Sequence, residues 1–140
     1  MDGVSLAASV IGIIQLTGSV VKICGSYLRE VKDARNDIIT LQRSVEGLET
    51  IVQNLKDFFQ DPHGPKLPTS SLLLDNITDC LSDLETLQEK IDPGKRKEMM
   101  RKFGIRALKW PLKRAEMARI IKDLERYKSS FSLSLQVDQV

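Results

Sequence analysis

The sequence predicts an all-α protein, an antiparallel bundle of four long helices with one or two short helices in a basic insert over residues 95–110. Apolar residues recur at alternating spacings of three and four residues in several segments, which is the period of a helix face. Only 5 of the 140 residues are proline and 5% are aromatic, and leucine, isoleucine, lysine, glutamate and aspartate dominate the pattern, which favours helices over a β-rich core. A chain of this length buries roughly two-thirds of its unfolded surface. We therefore expect one domain over residues 1–140.

The first helix is predicted over residues 4–32, and its first half is apolar on nearly every side. Gly3 to Val21 is a run of 19 uncharged residues, about 28 Å of helix at ~1.5 Å per residue. That length is close to the ~30 Å hydrocarbon core of a bilayer. Serine, threonine and glutamine side chains lower its hydrophobicity, so we expect no constitutive transmembrane span. A buried core helix and a helix that engages a membrane conditionally both fit this segment.

Clearer apolar stripes mark the three other long helices, which are predicted over residues 35–60, 69–92 and 111–137. Proline-containing segments separate them, because proline cannot continue the hydrogen-bond ladder of a helix. Pro111 suits the first turn of the last helix, where its missing N–H is not needed. The stripe residues are Ile38, Leu41, Val45, Leu48, Val52, Leu55 and Phe59, then Leu73, Ile77, Leu81, Leu84, Leu87 (or Gln88) and Ile91, and finally Met117, Ile120, Leu124, Tyr127, Phe131 and Leu135.

The charge of the chain is unevenly distributed. Residues 1–94 hold 8 basic and 14 acidic residues, a net charge of −6, whereas residues 95–128 hold 13 basic and 4 acidic residues, a net charge of +9. The basic segment either lies across the acidic third helix or contacts anionic lipid headgroups, where each Lys or Arg is worth ~1 kcal/mol. It lacks a nucleic-acid reading motif, so we expect no nucleic-acid partner. The candidate lipid-contact residues are Lys95, Arg96, Lys97, Arg101 and Lys102.

Trp110, just before the last predicted helix, has two interpretations. Its ring either anchors the basic insert onto the bundle or lies at headgroup depth in a membrane, as interfacial tryptophans do. The two interpretations differ in whether the ring is buried within the protein.

Composition excludes several chemistries. The chain has a single histidine, which cannot form a His-based metal site. Cys24 and Cys80 are too far apart for a Cys-x-x-Cys motif, and we interpret them as buried apolar groups. No phosphate-binding glycine loop and no nucleophile motif is present. We therefore expect no enzymatic activity, no catalytic or metal site and no cofactor. The aspartates at positions 75, 79 and 83 are expected to face solvent.

Both ends of the chain resemble a known family. The stretches MDGVSLAASVIGIIQLTGSVVK, REVKDARNDI and LKWPLKRAEMARIIKDLERYKSSFSLSLQVDQ are similar to the HeLo-like N-terminal domain of fungal STAND proteins, the NLR-type receptors that carry a NACHT or related nucleotide-switch domain. The resemblance covers nearly the whole chain and is weakest between residues 57 and 102. No nucleotide-binding motif occurs in the chain, which differs from a full receptor.

The resemblance implies a helical bundle that executes fungal programmed cell death, including heterokaryon incompatibility. Activation by a receptor, an amyloid template or a nucleotide switch oligomerises such domains, and the N-terminal helix then permeabilises the plasma membrane. The implied partners are anionic membrane lipids, further copies of the chain, and an upstream NLR-type receptor or a following nucleotide-switch domain. The implied location is cytoplasmic at rest and the plasma membrane after activation. The membrane-engaging residues carried over by position are Val4, Leu6, Ala8, Val10, Ile11, Gly12, Ile13, Ile14, Leu16, Val20 and Val21.

Two functions are therefore expected, and the first helix separates them. As a pore-forming effector, the chain would bury one face of this helix at rest, and Glu at Gly12 or Ile13 would block vesicle leakage. As an oligomerisation or adaptor bundle without membrane activity, it would use the stripes of the second and last helices as an intermolecular seam. The residues expected to be buried at rest are Leu6, Val10, Ile13 or Ile14, Val20 or Val21, and Cys24.

Overall fold

The computed structural model describes residues 3–60, 71–92, 94 and 109–137. These residues form four long helices and no strand, so the prediction of an all-helical bundle is confirmed. The predicted short helices of the basic insert fall largely on residues outside the described part. The helices are α1 (Gly3–Glu30), α2 (Arg35–Gln60), α3 (Ser71–Ile91) and α4 (Arg114–Val137).

Each helix packs against two others, so that all four enclose one core. Helix α1 contacts α2 and α3, and α4 contacts the same two helices. The stripe of α2 is buried as predicted, except that Phe59 at its end is half-buried. Burial of each such aliphatic side chain contributes roughly 1.5–3 kcal/mol, which outweighs the modest intrinsic propensities of these helices. The buried α2 residues of the stripe are Ile38, Leu41, Val45, Leu48, Val52 and Leu55.

A tight connection joins α1 to α2. The amide of Val31 donates to the carbonyl oxygen of Tyr27 at 2.8 Å and closes the last turn of α1. The amide of Ile38 donates to the carbonyl oxygen of Ala34 at 2.9 Å and opens α2. Between them Ala34 has a φ of 56°, in the left-handed region that a Cβ atom disfavours. The short connection therefore holds α1 beside α2 at the cost of one strained residue.

Helix α4 begins at Arg114, three residues later than predicted. Pro111 is not in its first turn, and that part of the prediction is wrong. Trp110 and Leu112, on either side of the proline, are each only 8% exposed. Burying both side chains in the bundle requires a non-helical path there, and this tertiary demand outweighs the preference of proline for a first helical turn.

The start of α4 is capped by its own residues. The amide of Met117 donates to the carbonyl oxygen of Lys113 at 2.9 Å, which makes Lys113 the N-cap. The amide of Lys113 donates to Glu116 Oε1 at 3.4 Å, the backbone half of a capping box. Glu116 Oε2 also lies 3.3 Å from Lys90 Nζ, so the same carboxylate links α4 to the end of α3.

Candidate membrane-contact site

Helix α1 divides the predicted membrane-engaging residues between its inner and outer faces. The residues expected to be buried at rest are buried, and Ile14 and Val21 are the half-buried members of their pairs. The side chain of Val4 lies outside the described residues. The buried residues are Leu6, Val10, Ile13, Val20 and Cys24, the half-buried ones are Gly12, Ile14, Leu16 and Val21, and the exposed ones are Ala8 and Ile11.

The outer face of α1 carries no charge over most of its length. Between Leu6 and Val21 the exposed residues are Ala8, Ile11, Gln15 and Gly18, which follow one another at helical spacing and which we call the uncharged strip. The next exposed residue along this line is charged, at position 22. By contrast, the exposed face of α2 includes arginine, glutamate and aspartate side chains. A charge-free outer face is unusual for a helix on the surface of a soluble bundle.

Helix α1 also satisfies the dimensions of a membrane span. Within the described residues, Leu6–Glu30 is the one helical segment long and apolar enough to cross a bilayer, and 28% of its most apolar window is buried. Its 25 residues correspond to about 37 Å of helix. The core helix of a soluble protein can satisfy the same criteria. The length and composition of α1 therefore permit membrane contact.

Polar contacts contribute to the attachment of α1 to its neighbours. Gln42 of α2 donates from Nε2 to the carbonyl oxygen of Val21 at 3.2 Å. Gln88 of α3 donates from Nε2 to Ser19 Oγ at 3.1 Å. Thr17 is fully buried and donates to the carbonyl oxygen of its own helix at Ile14. Net stabilisation by such hydrogen bonds is only about 0.5–1.5 kcal/mol each.

Close packing of α1 on α3 depends on Gly12. A Cβ atom added there would lie 3.2 Å from Leu81 Cδ1, closer than ordinary van der Waals contact. At Gly18, on the uncharged strip, an added Cβ would meet no atom within 4 Å. The two glycines of α1 therefore have different roles, one in helix packing and one on an open surface.

Trp110 anchors the segment before α4 onto the end of α1. Its ring lies edge-to-face with that of Tyr27, at a centroid distance of 4.9 Å and an interplanar angle of 88°. The burial of Trp110 confirms the anchor interpretation and is incompatible with headgroup depth in this arrangement. Its Nε1 has no hydrogen-bond partner in the part of the chain that the structure describes. Edge-to-face aromatic pairs of this kind add about 0.5–1.5 kcal/mol to burial alone.

The lipid-contact candidates Lys95, Arg96, Lys97, Arg101 and Lys102 lie outside the described residues. Within the basic segment 95–128, the basic residues that are described belong mostly to α4. Arg114 lies 3.9 Å from Asp37 of α2, and Lys128 Nζ lies 2.7 Å from Glu125 Oε1. The hydrogen bond from Lys128 lowers the pKa of Glu125, and Ser44 of α2 donates to the same carboxylate at 3.0 Å. Part of the basic segment is thus paired within the bundle, with α2 and α4 rather than across α3.

A groove of about 290 Å³ lies between α3 and α4. Its floor is apolar, and its rim carries Asp83, Lys90, Arg119 and Asp123. Asp83 accepts a short hydrogen bond from the hydroxyl group of Tyr127, and burial together with this bond raises the pKa of that tyrosine. Asp83 is thus engaged with α4, whereas the aspartates at positions 75 and 79 face solvent as predicted. Among the described residues, no group of three or more His, Cys, Asp or Glu side chains could hold a metal ion.

Gln15 and Gly18 are the two residues of the uncharged strip that were not predicted to engage the membrane. The charge of Lys22 was the available signal, because the residues four, seven, eleven and fourteen positions before an exposed lysine in a helix lie on the same side of that helix. No family model, curated protein or solved structure matches this chain. The role of the uncharged strip therefore follows from the residues of this chain alone.

Proposed function

We propose that the chain is a HeLo-like, membrane-targeting cell-death effector domain. It is cytoplasmic at rest, oligomerises when a receptor or a nucleotide-switch domain activates it, and permeabilises the plasma membrane through α1. Its partners in that role are anionic membrane lipids and further copies of itself. The observation that carries the proposal is the uncharged strip, which leaves α1 without a charged side chain from Leu6 to Val21 on either its inner or its outer face.

The physical basis of the proposal is the cost of moving a helix into hydrocarbon. A charged side chain at the centre of a spanning helix costs about 3 kcal/mol, and α1 has none before Lys22. The inner face of α1 is apolar because it packs in the core, and the same side chains can contact lipid. Whether α1 exchanges its protein contacts for lipid then depends on the free-energy difference between the docked state and the inserted state. Oligomerisation raises the local concentration of α1 and lets several weakly inserting helices act together.

The proposal includes an antiparallel course for helices that follow one another in the chain. Contact positions support it, because residue numbers rise along one helix as they fall along the next between α1 and α2 and between α3 and α4. Between α1 and α3 they rise together. The supporting pairs are Val21 with Gln42 and Leu28 with Arg35, Asn76 with Ser130 and Lys90 with Glu116, and Gly12 with Leu81 and Ser19 with Gln88.

The packing of α1 determines which substitution tests the proposal. Glu at Gly12 would crowd the side chain of Leu81, and Glu at Ile13 would place a charge in the core, so both would destabilise the bundle as well as change α1. Gly18→Glu instead places the charge on the uncharged strip, where an added side chain has free space. Thr50→Glu adds the same charge to an exposed position of α2 and serves as the matched control.

The experiment measures dye release from phosphatidylserine-containing vesicles by the chain fused to a trimeric coiled coil. We expect Gly18→Glu to reduce the release rate at least about tenfold, in line with the cost of inserting a charge, with helical content unchanged. Thr50→Glu should release dye as the parent protein does. Equal rates for Gly18→Glu and the parent, or no release by the parent oligomer, would contradict the proposal.

The adaptor alternative depended on free stripes along the second and last helices. In the bundle those stripes face inward, and their central members Leu48 and Leu124 are buried. They are available for an intermolecular seam only if the bundle opens. This burial favours the membrane function over the adaptor function.

A further inference from the structure

We infer that the bundle first meets a membrane with the end at which α1 begins, and that Leu72 and Leu133 enter the lipid headgroup region there. This inference rests on the proposed membrane function and names the surface that makes the first contact. Leu72 is 68% exposed and Leu133 is 62% exposed, and among the described residues they are the most exposed large hydrophobic side chains. The next, Ile11 at 37%, belongs to the uncharged strip of α1.

The two leucines lie at the same end of the bundle. Asn76 Nδ2 of α3 donates to Ser130 Oγ of α4 at 2.6 Å. Leu72 is one helical turn before Asn76, and Leu133 is three residues after Ser130. Both therefore lie beyond this hydrogen bond on the same side, near the start of α3 and the end of α4.

The start of α1 lies at this end as well. Gly12 packs on Leu81 and Ser19 accepts a hydrogen bond from Gln88, and both pairs have the same offset in residue number. Since the two helices have the same rise per residue, this constant offset places the first turn of α1 level with Leu72. We call this surface, formed by Leu72, Leu133 and the first turns of α1, the apolar end.

Among the described residues, charge is sparse at the apolar end. Residues 3–21 of α1, 71–74 of α3 and 129–136 of α4 contain no charged side chain. Near the end of α2 the charges of Lys56 and Asp57 cancel, and Asp75 is the first charge of α3. At the opposite end, by contrast, the segments 29–37 and 113–119 are rich in both signs of charge. The described part of the bundle is thus polarised along its length. The sequence adds Asp2, Asp61, Lys66 and Asp138 within a few residues of the segments at the apolar end.

Lipid fits this surface better than a second protein does. A stable protein interface buries about 800 Å² on each partner, far more than two leucine side chains can supply. Two exposed leucines at one end of the bundle instead suit a shallow insertion at the boundary between lipid headgroups and acyl chains. Because leucine side chains carry no charge, contact through Leu72 and Leu133 should persist at high salt, whereas attraction through a basic segment is screened.

The test places an environment-sensitive fluorophore at either leucine, in the variants Leu72→Cys and Leu133→Cys. The native Cys24 and Cys80 are buried and do not compete for the label. Ala118→Cys, exposed on α4 towards the charged end, is the control. With phosphatidylcholine vesicles at high salt, we expect a blue shift and increased intensity for labels at 72 and 133 and no change at 118. Equal responses at all three positions, or a response without lipid that coincides with dimers in light scattering, would overturn the inference.

A second variant separates the inference from the function on which it rests. The double variant Leu72→Ser and Leu133→Ser changes only exposed positions, so the bundle should stay folded. It should weaken vesicle binding at least about tenfold. If the parent chain binds and permeabilises vesicles and the double variant does so equally well, the apolar end is not the contact surface, and the proposed function stands. If the parent chain neither binds nor permeabilises vesicles, the proposed function fails and the inference fails with it.

Discussion

The hydroxyl group of Tyr27 donates a hydrogen bond of 2.8 Å to the carbonyl oxygen of Ile91. This bond joins the last turn of α1 to the last residue of α3, and both groups are buried. A carbonyl at a helix C-terminus has no partner within its own helix, so the tyrosine satisfies a group that would otherwise need water. Tyr27 also packs on Trp110, and it therefore holds α1, α3 and the segment before α4 together.

Tyr27→Phe should loosen α1 at this end. It removes the hydrogen bond to Ile91 and keeps the ring, so the buried carbonyl loses its partner at a cost of about 1–2 kcal/mol. We expect a lower urea midpoint, faster hydrogen exchange along α1 and faster vesicle leakage. Tyr127→Phe removes a comparable hydroxyl group from the pair with Asp83, between α3 and α4, and is the matched control.

The comparison of the two tyrosine variants distinguishes release of α1 from general destabilisation. Tyr127→Phe should lower the urea midpoint without accelerating exchange in α1 selectively. Leakage that rises equally in both variants would mean that overall stability, and not the attachment of α1, controls activity.

Ala34→Gly should stabilise the bundle. The left-handed φ of Ala34 costs about 1–2 kcal/mol, and the greater freedom of glycine in the unfolded chain offsets about 0.4–1 kcal/mol of the relief. We expect the free energy of unfolding to rise by about 0.5–1 kcal/mol. In contrast, Ala118→Gly, at an exposed site within α4, should lower it by about 1 kcal/mol. Urea unfolding of both variants checks the signs, and a fall for Ala34→Gly would show that its backbone is not strained.

Alkaline pH should destabilise the domain through its two thiols. Burial raises the pKa of both Cys24 and Cys80 to about 12, with Glu46 and Asp83 as the respective charged neighbours that add to the shift. An unfolded thiol ionises near pH 9.0. The contribution to stability is therefore complete below pH 9 and is lost as pH rises towards about 12.

The expected slope of this loss is about 1.4 kcal/mol per pH unit for each thiol once the unfolded thiols are ionised. Urea unfolding between pH 8 and 11 measures it, with Cys24→Ala and Cys80→Ala combined as the reference protein. The reference should show a shallower slope, and identical slopes in the two proteins would mean that the thiols ionise equally in the folded and unfolded states.

The helices α2, α3 and α4 were predictable because charged residues lie on every face except the apolar one. Leu48 of α2, for example, lies between Glu46 and Glu49 in the sequence, and only one helical face keeps the apolar residues together. The prediction of residues 35–60 for this helix accordingly matches its observed bounds. For such a residue, the charged neighbours in the sequence indicate that its side chain faces the core.

The orientation of α1 was predicted less precisely, because the sequence leaves open whether Ile13 or Ile14 and whether Val20 or Val21 is buried. Ile11 and Ile13 are chemically identical, yet Ile11 is 37% exposed and Ile13 is fully buried. In a helix that is apolar on nearly every side, packing by other helices decides which face is inside. The contact of Tyr27 with Trp110 likewise joins distant parts of the chain, and it accounts for the late start of α4, which no local spacing indicated.

A reversible cross-link between α1 and α3 tests most directly whether α1 must leave the bundle. The double variant Gly12→Cys and Leu81→Cys introduces one thiol on each helix at a close contact. In the parent protein, a Cβ added at Gly12 would lie 3.2 Å from Leu81 Cδ1. Vesicle leakage by the oxidised and reduced forms is the measurement, and the single-cysteine variants under the same oxidant are the controls. We predict a folded oxidised protein that releases no dye and recovers the leakage of the parent protein when it is reduced. Leakage by the oxidised protein at the parent rate would show that α1 acts without leaving α3.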